Sequence, residues 1–400
     1  MSFYDRIPIK MAENAAFFWI LHDQALRSPN YTLAKLIELE ARIDAQLDGL
    51  LVHGEAGWNA CEAVLRFEAP GEVFTATVLA LRSDNSQWLQ KAIETGCRNQ
   101  HAYQALLSAF SWLPRETVKS WLGKLIQAQN PAYICLGISA CALHGLKCGQ
   151  PLNDAFSNPD IKKAPEYFAQ IIRAAGLMQR NDLLPEIQSH VKDEQAQIAF
   201  SSIFASLLLG DKSNTHLLKP YVMNDTPVSD QAINVAFRAL SRDEAKGWAL
   251  ELGKTSRNLR KLITATGVMG DAAALPWLLE QMSNTSFARL AGHSFSLITG
   301  LDFELNTMTE TPVLSDKTDI NDRDKKLPWP DGAKVGHWYE SHYRRFLPEH
   351  RYLAGNIINE ENSHKILQQG KHYHRVAAWQ VLQLSGGARF TDESPKRLRV

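Results

Sequence analysis
Leu36-Ile37-Glu38-Leu39-Glu40-Ala41-Arg42-Ile43-Asp44-Ala45-Gln46-Leu47-Asp48-Gly49-Leu50-Leu51 is the stretch that decides how the chain is read. Leu36, Leu39, Ile43, Leu47, Leu50 and Leu51 recur at three- and four-residue steps, the period of one helix face. Similar stripes recur to the end of the chain. Alternating strand patterns bounded by turn residues are nearly absent, and Pro, Gly, Asn or Asp separate the helical segments. The chain therefore reads as all-α.

The helices also repeat. Apolar helix starts fall near Trp58, Trp88, Val118, Leu152, Leu184, Leu217, Trp248 and Leu275, at intervals close to the length of a two-helix repeat. Three units show the pattern most clearly. One runs from Leu183 to Gly210, one from Leu275 to Gly300, and one carries Arg375-Val376-Ala377-Ala378 and ends at Gly386. Small residues at the start of each second helix let neighbours approach, and the apolar residues after them fill a shared core. A single pair cannot bury its own face, so stacking is compulsory. The expected fold is a HEAT-like α-helical solenoid, an α-α superhelix of stacked helix pairs.

Four segments follow from this reading. Residues 1–53 form an N-terminal helical cap and residues 54–301 the repeats. Residues 302–334 are a charged exposed loop, rich in Asp and Lys with little periodicity. Residues 335–400 are a C-terminal helical module that closes with a final repeat-like pair.

Lys plus Arg and Asp plus Glu both number 43, so no global field steers the chain toward nucleic acid or membrane. The five cysteines are odd in number and contain no C-x-x-C, which argues against a disulfide framework or a structural zinc site. Cys135, Cys141 and Cys148 are expected on one helix as small buried thiols. The apolar stretch Ala15–Leu21 is too short for a signal segment or a membrane span. A cytoplasmic location is expected.

No familiar catalytic pattern is complete. Gly292-His293-Ser294-Phe295-Ser296 lacks the closing glycine of a nucleophile elbow and falls within a repeat helix. Asp319–Asp324 resembles the start of a calcium loop but lacks its glycine, and Pro330 stands where the bidentate Glu belongs. His372 and His374 are two apart and do not share a helix face. Gly267-Val268-Met269-Gly270 reads as a turn. No catalytic residue, metal or cofactor is expected.

Two charged features remain. Between Leu36 and Glu72 eight acids face two arginines, with Glu40, Asp44 and Asp48 four residues apart. Like charges at that spacing repel; with Glu55 they read either as a solvated face or as an acidic patch for a basic partner. Arg257, Arg260 and Lys261, with Arg238 and Arg242, would suit a concave face that grips DNA, as in helical-repeat alkylbase glycosylases. That cluster is short, and nucleic acid is not the expected partner.

Leu47–Trp58 and the later run Leu327-Pro328-Trp329-Pro330-Asp331, Trp338, Phe346-Leu347-Pro348 and Arg351-Tyr352-Leu353-Ala354-Gly355 carry a resemblance. Together they resemble an uncharacterised family of proteobacterial HEAT-repeat proteins often encoded in type VI secretion loci. Tyr339 departs from the second Trp expected there. The resemblance implies a non-catalytic interaction protein, most simply an immunity protein that neutralises a toxic effector encoded nearby. An adaptor or chaperone for effector loading is the alternative, and a HEAT-like enzyme acting on damaged nucleic acid is the alternative from another class. The candidate partner-binding residues are Glu40, Asp44, Asp48, Glu55, Trp338, Arg344, Arg345, Arg351 and Tyr352. The acids would mimic a nucleic-acid backbone if the toxin is a nuclease.

Overall fold
The computed structural model describes residues 3–26, 31–311 and 324–386. The chain is all-α. The helix Phe3–Ala25 packs antiparallel to Leu33–Val52, and the stripe Leu36, Leu39, Ile43, Leu47 and Leu50 is buried as its period requires. Eight helix pairs follow among the described residues. Their second helices begin at residues 70, 100, 131, 165, 196, 229, 259 and 288. These spacings of 29 to 34 residues are those of the sequence repeat.

The two helices of a pair differ in kind. First helices such as Ser86–Gly96 are amphipathic, burying Leu89, Ala92 and Ile93 and exposing the other face. Second helices are more deeply buried, and several are apolar nearly all round. Pro70–Arg82 buries every residue from Val73 to Leu81, and Pro131–Leu143 is buried on all sides. A helix apolar all round must be covered all round, so second helices pack on second helices. In one compact unit, residues 3–26 and 32–205, Pro70–Arg82 packs on Gln100–Trp112, which packs on Pro131–Leu143, which packs on Pro165–Leu177. In the other unit, residues 206–311 and 324–386, Ser229–Ala239, Leu259–Met269 and Ala288–Thr299 form the same layer.

The three glycines that end the clearest sequence units all take positive φ: 87° at Gly210, 75° at Gly300 and 77° at Gly386. Gly300 is the left-handed cap of Ala288–Thr299. The reading of Gly267–Gly270 as a turn is corrected. Gly267 lies inside the helix Leu259–Met269, and a Cβ there would fall 2.8 Å from that of Ser294. Only Gly270, at φ 74°, is the cap.

Ion pairs link several helix pairs to the next at about one repeat of separation. Asp44 and Asp48 both accept from Arg82, at 2.6 and 2.7 Å. Glu62 meets Lys91, and Glu68 meets Arg98 at 2.6 Å. In the second unit Lys219 meets Glu251, Asp225 meets Arg257 and Lys261, and Asp271 meets Arg242 and Lys246.

Two further expectations are corrected. Cys148 does not share a helix with Cys135 and Cys141. The helix Pro131–Leu143 stops before Gly145 (φ 63°), and Cys148 precedes the next helix, Gly149–Ser157. The stretch 302–334 is not exposed throughout. Asp324 is buried and pairs with Arg260 at 2.6 Å, Trp329 is buried under Arg289, and Thr309 bridges to Pro330. The calcium-like run Asp319–Asp324 lies outside the described residues apart from Asp324.

Candidate partner-binding surface
The acidic residues do not form an open face. Glu40 is 3% exposed and its carboxylate lies 3.2 Å from His22 Nε2. Its candidacy as a contact residue is therefore corrected: a carboxylate at that depth is kept by a local partner, not by an incoming one. Asp44 accepts from Trp112 Nε1 at 2.8 Å as well as from Arg82, and Asp48 shares that arginine. Glu38 is held by Arg42 at 2.6 Å. Glu55 is exposed at the N-terminus of the helix Glu55–Leu65, where its charge suits the helix dipole. A linear count of acids missed that their cations come from the following helices.

The basic residues are likewise consumed. Arg257 and Lys261 share Asp225, Arg260 pairs with Asp324, and Arg242 reaches Asp271. Burial pushes Arg238 down to about 9, and it donates to the Asn234 carbonyl and side-chain oxygen at 2.9 and 2.8 Å.

The aromatic-basic segment divides into an inner and an outer set. Trp338 projects from the helix Gly332–His342, stacks on His342 with ring centroids 4.4 Å apart, and meets Phe295 edge-on. Phe346 and Tyr352 are buried in the same apolar cluster, with their rings 5.4 Å apart. Arg351 is corrected from a contact residue to a structural one. Its Nε donates to the Met269 carbonyl at 2.6 Å, and its two Nη groups donate to the Leu240 and Phe237 carbonyls. Next come Tyr352 N to the Gly270 carbonyl at 2.7 Å, Ala354 N to Leu297 and Gly355 N to Ile298, both at 2.8 Å. A helix leaves its last four carbonyls without partners. Residues 351–355 thus run as a strap across the C-terminal ends of three consecutive second helices and satisfy two carbonyls at each. The strap is a small hairpin, Tyr352–Leu353 paired with Asn356–Ile357, turned at Ala354 and Gly355, both at positive φ. Helical period could not reveal a two-residue strand.

The outer set is Tyr343, Arg344, Arg345 and Leu347, all exposed. Arg344 Nε donates to the Tyr343 hydroxyl at 3.3 Å, and among the described residues neither arginine has an ion-pair partner. The turn beneath them is fixed. Phe346 anchors it in the core, Leu347 N donates to the Tyr352 hydroxyl at 2.9 Å, and Arg242 donates to the Pro348 carbonyl. Tyr343 and Leu347 were not among the expected contact residues. The signal that could have found them is the one buried aromatic, Phe346, set between polar or exposed neighbours.

A second polar cluster sits between the helices Ala288–Thr299 and His372–Leu384. It contains His293, Ser296, Asp302, Lys371, Tyr373 and His374. Ser296 Oγ donates to the Leu301 carbonyl at 2.6 Å and meets the Tyr373 hydroxyl at 2.8 Å, while Lys371 pairs with Asp302 at 2.6 Å. Burial pushes His293 down to about 4 and His374 to about 3, and the Tyr373 phenol is pushed up by burial. His374 Nε2 faces the Ser296 carbonyl at 3.2 Å, so this ring is spent on packing the final pair. No group of three or more metal-ligating side chains occurs among the described residues, and no described helix is long and apolar enough to cross a membrane.

Comparison of the chain with known protein-family models, with curated proteins and with solved structures finds no match.

Proposed function
We propose that the chain is a non-catalytic protein-binding scaffold, and that it serves as an immunity protein binding a toxic effector of a type VI secretion locus. One observation carries the binding reading: Tyr343, Arg344, Arg345 and Leu347 stand exposed on a turn whose backbone is locked from beneath. Tyr and Arg are the residues most enriched where interfaces concentrate their energy. A fixed turn loses little freedom on binding, so more of the contact energy appears as affinity. The two guanidiniums call for carboxylates or other acceptors on the partner, and Tyr343 and Leu347 for an apolar pocket beside them. The secretion context comes from the family resemblance of the Leu47–Trp58 and Leu327–Gly355 segments.

The test is co-purification with the product of the neighbouring gene, joined to rescue of cells expressing that product. The Arg344→Glu, Arg345→Glu double variant is expected to weaken capture by at least tenfold and to abolish rescue while keeping its melting temperature. Rescue by the double variant would remove this surface from the reading. Failure of the native chain in both assays would remove the immunity role, and loss of secretion without poisoning on gene deletion would favour an effector-loading adaptor.

A further inference from the structure
We propose that the second unit holds a phosphate-binding site, built by Arg238, Arg242, Lys246 and Arg351 around the buried carboxylate of Asp271. The strap assembles it. Arg351 forms a backbone bridge with Asp271, and its guanidinium donates to the carbonyls of Phe237 and Leu240, which bracket Arg238 in the chain. From the next helix, Arg242–Leu252, Arg242 Nη2 meets Asp271 Oδ1 at 3.2 Å and Lys246 Nζ meets Oδ2 at 3.1 Å. Those two residues are four apart and share one helix face. Arg242 also donates to the Pro348 carbonyl, which ties the turn before the strap to the same corner.

The charges at this corner do not balance. Among the described residues, Asp271 is the only carboxylate that pairs with any of the four cations. It is itself partly engaged, since Oδ1 also accepts from Ala273 N at 3.2 Å. Glu244 of the same helix is turned back onto Ser241 in a capping box. Arg238 and Arg351 have neutral acceptors only. Arg238 donates to the Asn234 carbonyl and side-chain oxygen, and Arg351 donates to three backbone carbonyls. Burial, followed by the Arg351 charge, pushes Arg238 down to about 9, as expected for a guanidinium drawn from water without a counter-ion. Arg242 Nε is buried and has no hydrogen-bond partner among the described residues. A buried donor left open costs about 1–3 kcal/mol. Four cations set against one carboxylate leave three positive charges uncompensated.

The donor set fits a phosphate group. A guanidinium presents paired N–H groups to two oxygens of the anion, and an ammonium adds a point charge beside them. The side chains of Arg242 and Lys246 are partly exposed, so an anion reaches them from solvent. Arg351, whose three nitrogens are all engaged, contributes charge, while Arg238, Arg242 and Lys246 contribute open donors. A phosphate group carries about −1.5 to −2 at neutral pH, which offsets most of the surplus. A carboxylate or a chloride ion, each with a single charge, offsets much less of it.

The experiment titrates the folded full-length protein with inorganic phosphate by isothermal calorimetry at neutral pH, with ionic strength held constant by sodium chloride. The expected result is saturable binding of one phosphate per chain, with none for acetate at the same ionic strength. Lys246→Met should weaken binding by about tenfold or more, and Lys246→Arg should restore it. Lys365→Met removes an exposed charge that pairs with Glu361 in the same unit, and should leave binding unchanged. Asp271→Asn keeps an acceptor for Ala273 N and removes the competing charge. It should tighten phosphate binding, a direction that a merely structural role for Asp271 does not give. Circular dichroism on each variant separates these effects from unfolding. O-phosphoserine run beside inorganic phosphate distinguishes a phosphate ester from the free ion, and saturable binding of either supports the site. Phosphate heats no larger than those of chloride, acetate binding as tightly as phosphate, or native phosphate affinity in folded Lys246→Met would overturn the proposal.

Discussion

Arg351 Nε donates to the carbonyl of Met269, 82 residues earlier, at 2.6 Å, and the same guanidinium serves the carbonyls of Phe237 and Leu240. One planar fork thus closes the ends of two second helices. Arg351→Met should keep the aliphatic packing and orphan all three carbonyls, at a cost of about 3 kcal/mol. Arg351→Lys should recover little of it, because an ammonium cannot spread its donors across that fork. Urea unfolding midpoints check both; a midpoint for Arg351→Met within error of the native one would refute the strap as a source of stability.

Acid should weaken the fold before the carboxylates titrate. His293 and His374 are held at about 4 and about 3 by burial, against an ordinary histidine value of 6.5. The folded state therefore leaves both neutral while the unfolded state takes up protons as pH falls through 6.5. Unfolding then binds protons, and stability drops as pH falls from 6.5 toward 4, by on the order of 3 kcal/mol for each histidine. Above 6.5 both rings are neutral in either state, and stability is flat with pH. Melting temperature measured from pH 8 to pH 4 should show that slope, and His374→Gln should flatten it.

The glycines in the second unit make opposite predictions. A methyl at Gly267 would meet Cβ and Cα of Ser294 at 2.8 and 2.9 Å, where buried stretches of two second helices touch. Gly267→Ala should cost about 1–3 kcal/mol through overpacking. Gly247, in the helix Arg242–Leu252, has open space around the same position. Gly247→Ala should raise stability by about 0.5–1 kcal/mol, the helix-propensity gain. Paired thermal melts decide the contrast.

The all-α class and the length of the repeat were legible because both rest on periods that one chain carries in full. The stripe from Leu36 to Leu50 is buried, and the eight helix starts fall inside first helices or their leading turns. The charged sites were not legible, for one physical reason. Whether Asp44 is open to a partner depends on Arg82, 38 residues away, and whether Arg260 is open depends on Asp324, 64 residues away. A window along the sequence sums charges that the fold cancels across windows. Arg351 shows the same limit: an arginine among aromatics reads as a contact residue until the helix ends it serves are known. Cys148 was misplaced because a continuous helix was extended through Gly145, whose left-handed backbone ends it.

The ion pairs spaced one repeat apart bear on how such a chain is able to vary. Asp44 and Asp48 name Arg82 as their neighbour, Glu62 names Lys91, and Asp225 names Arg257 and Lys261. The helix pairs so joined are therefore addressed to one successor, and are not interchangeable copies of a consensus. Excising one of these pairs, or inserting a duplicate, would part such acids from their cations at the new junction. Lengthening or shortening of this array is then least costly at junctions that carry no such ion pair.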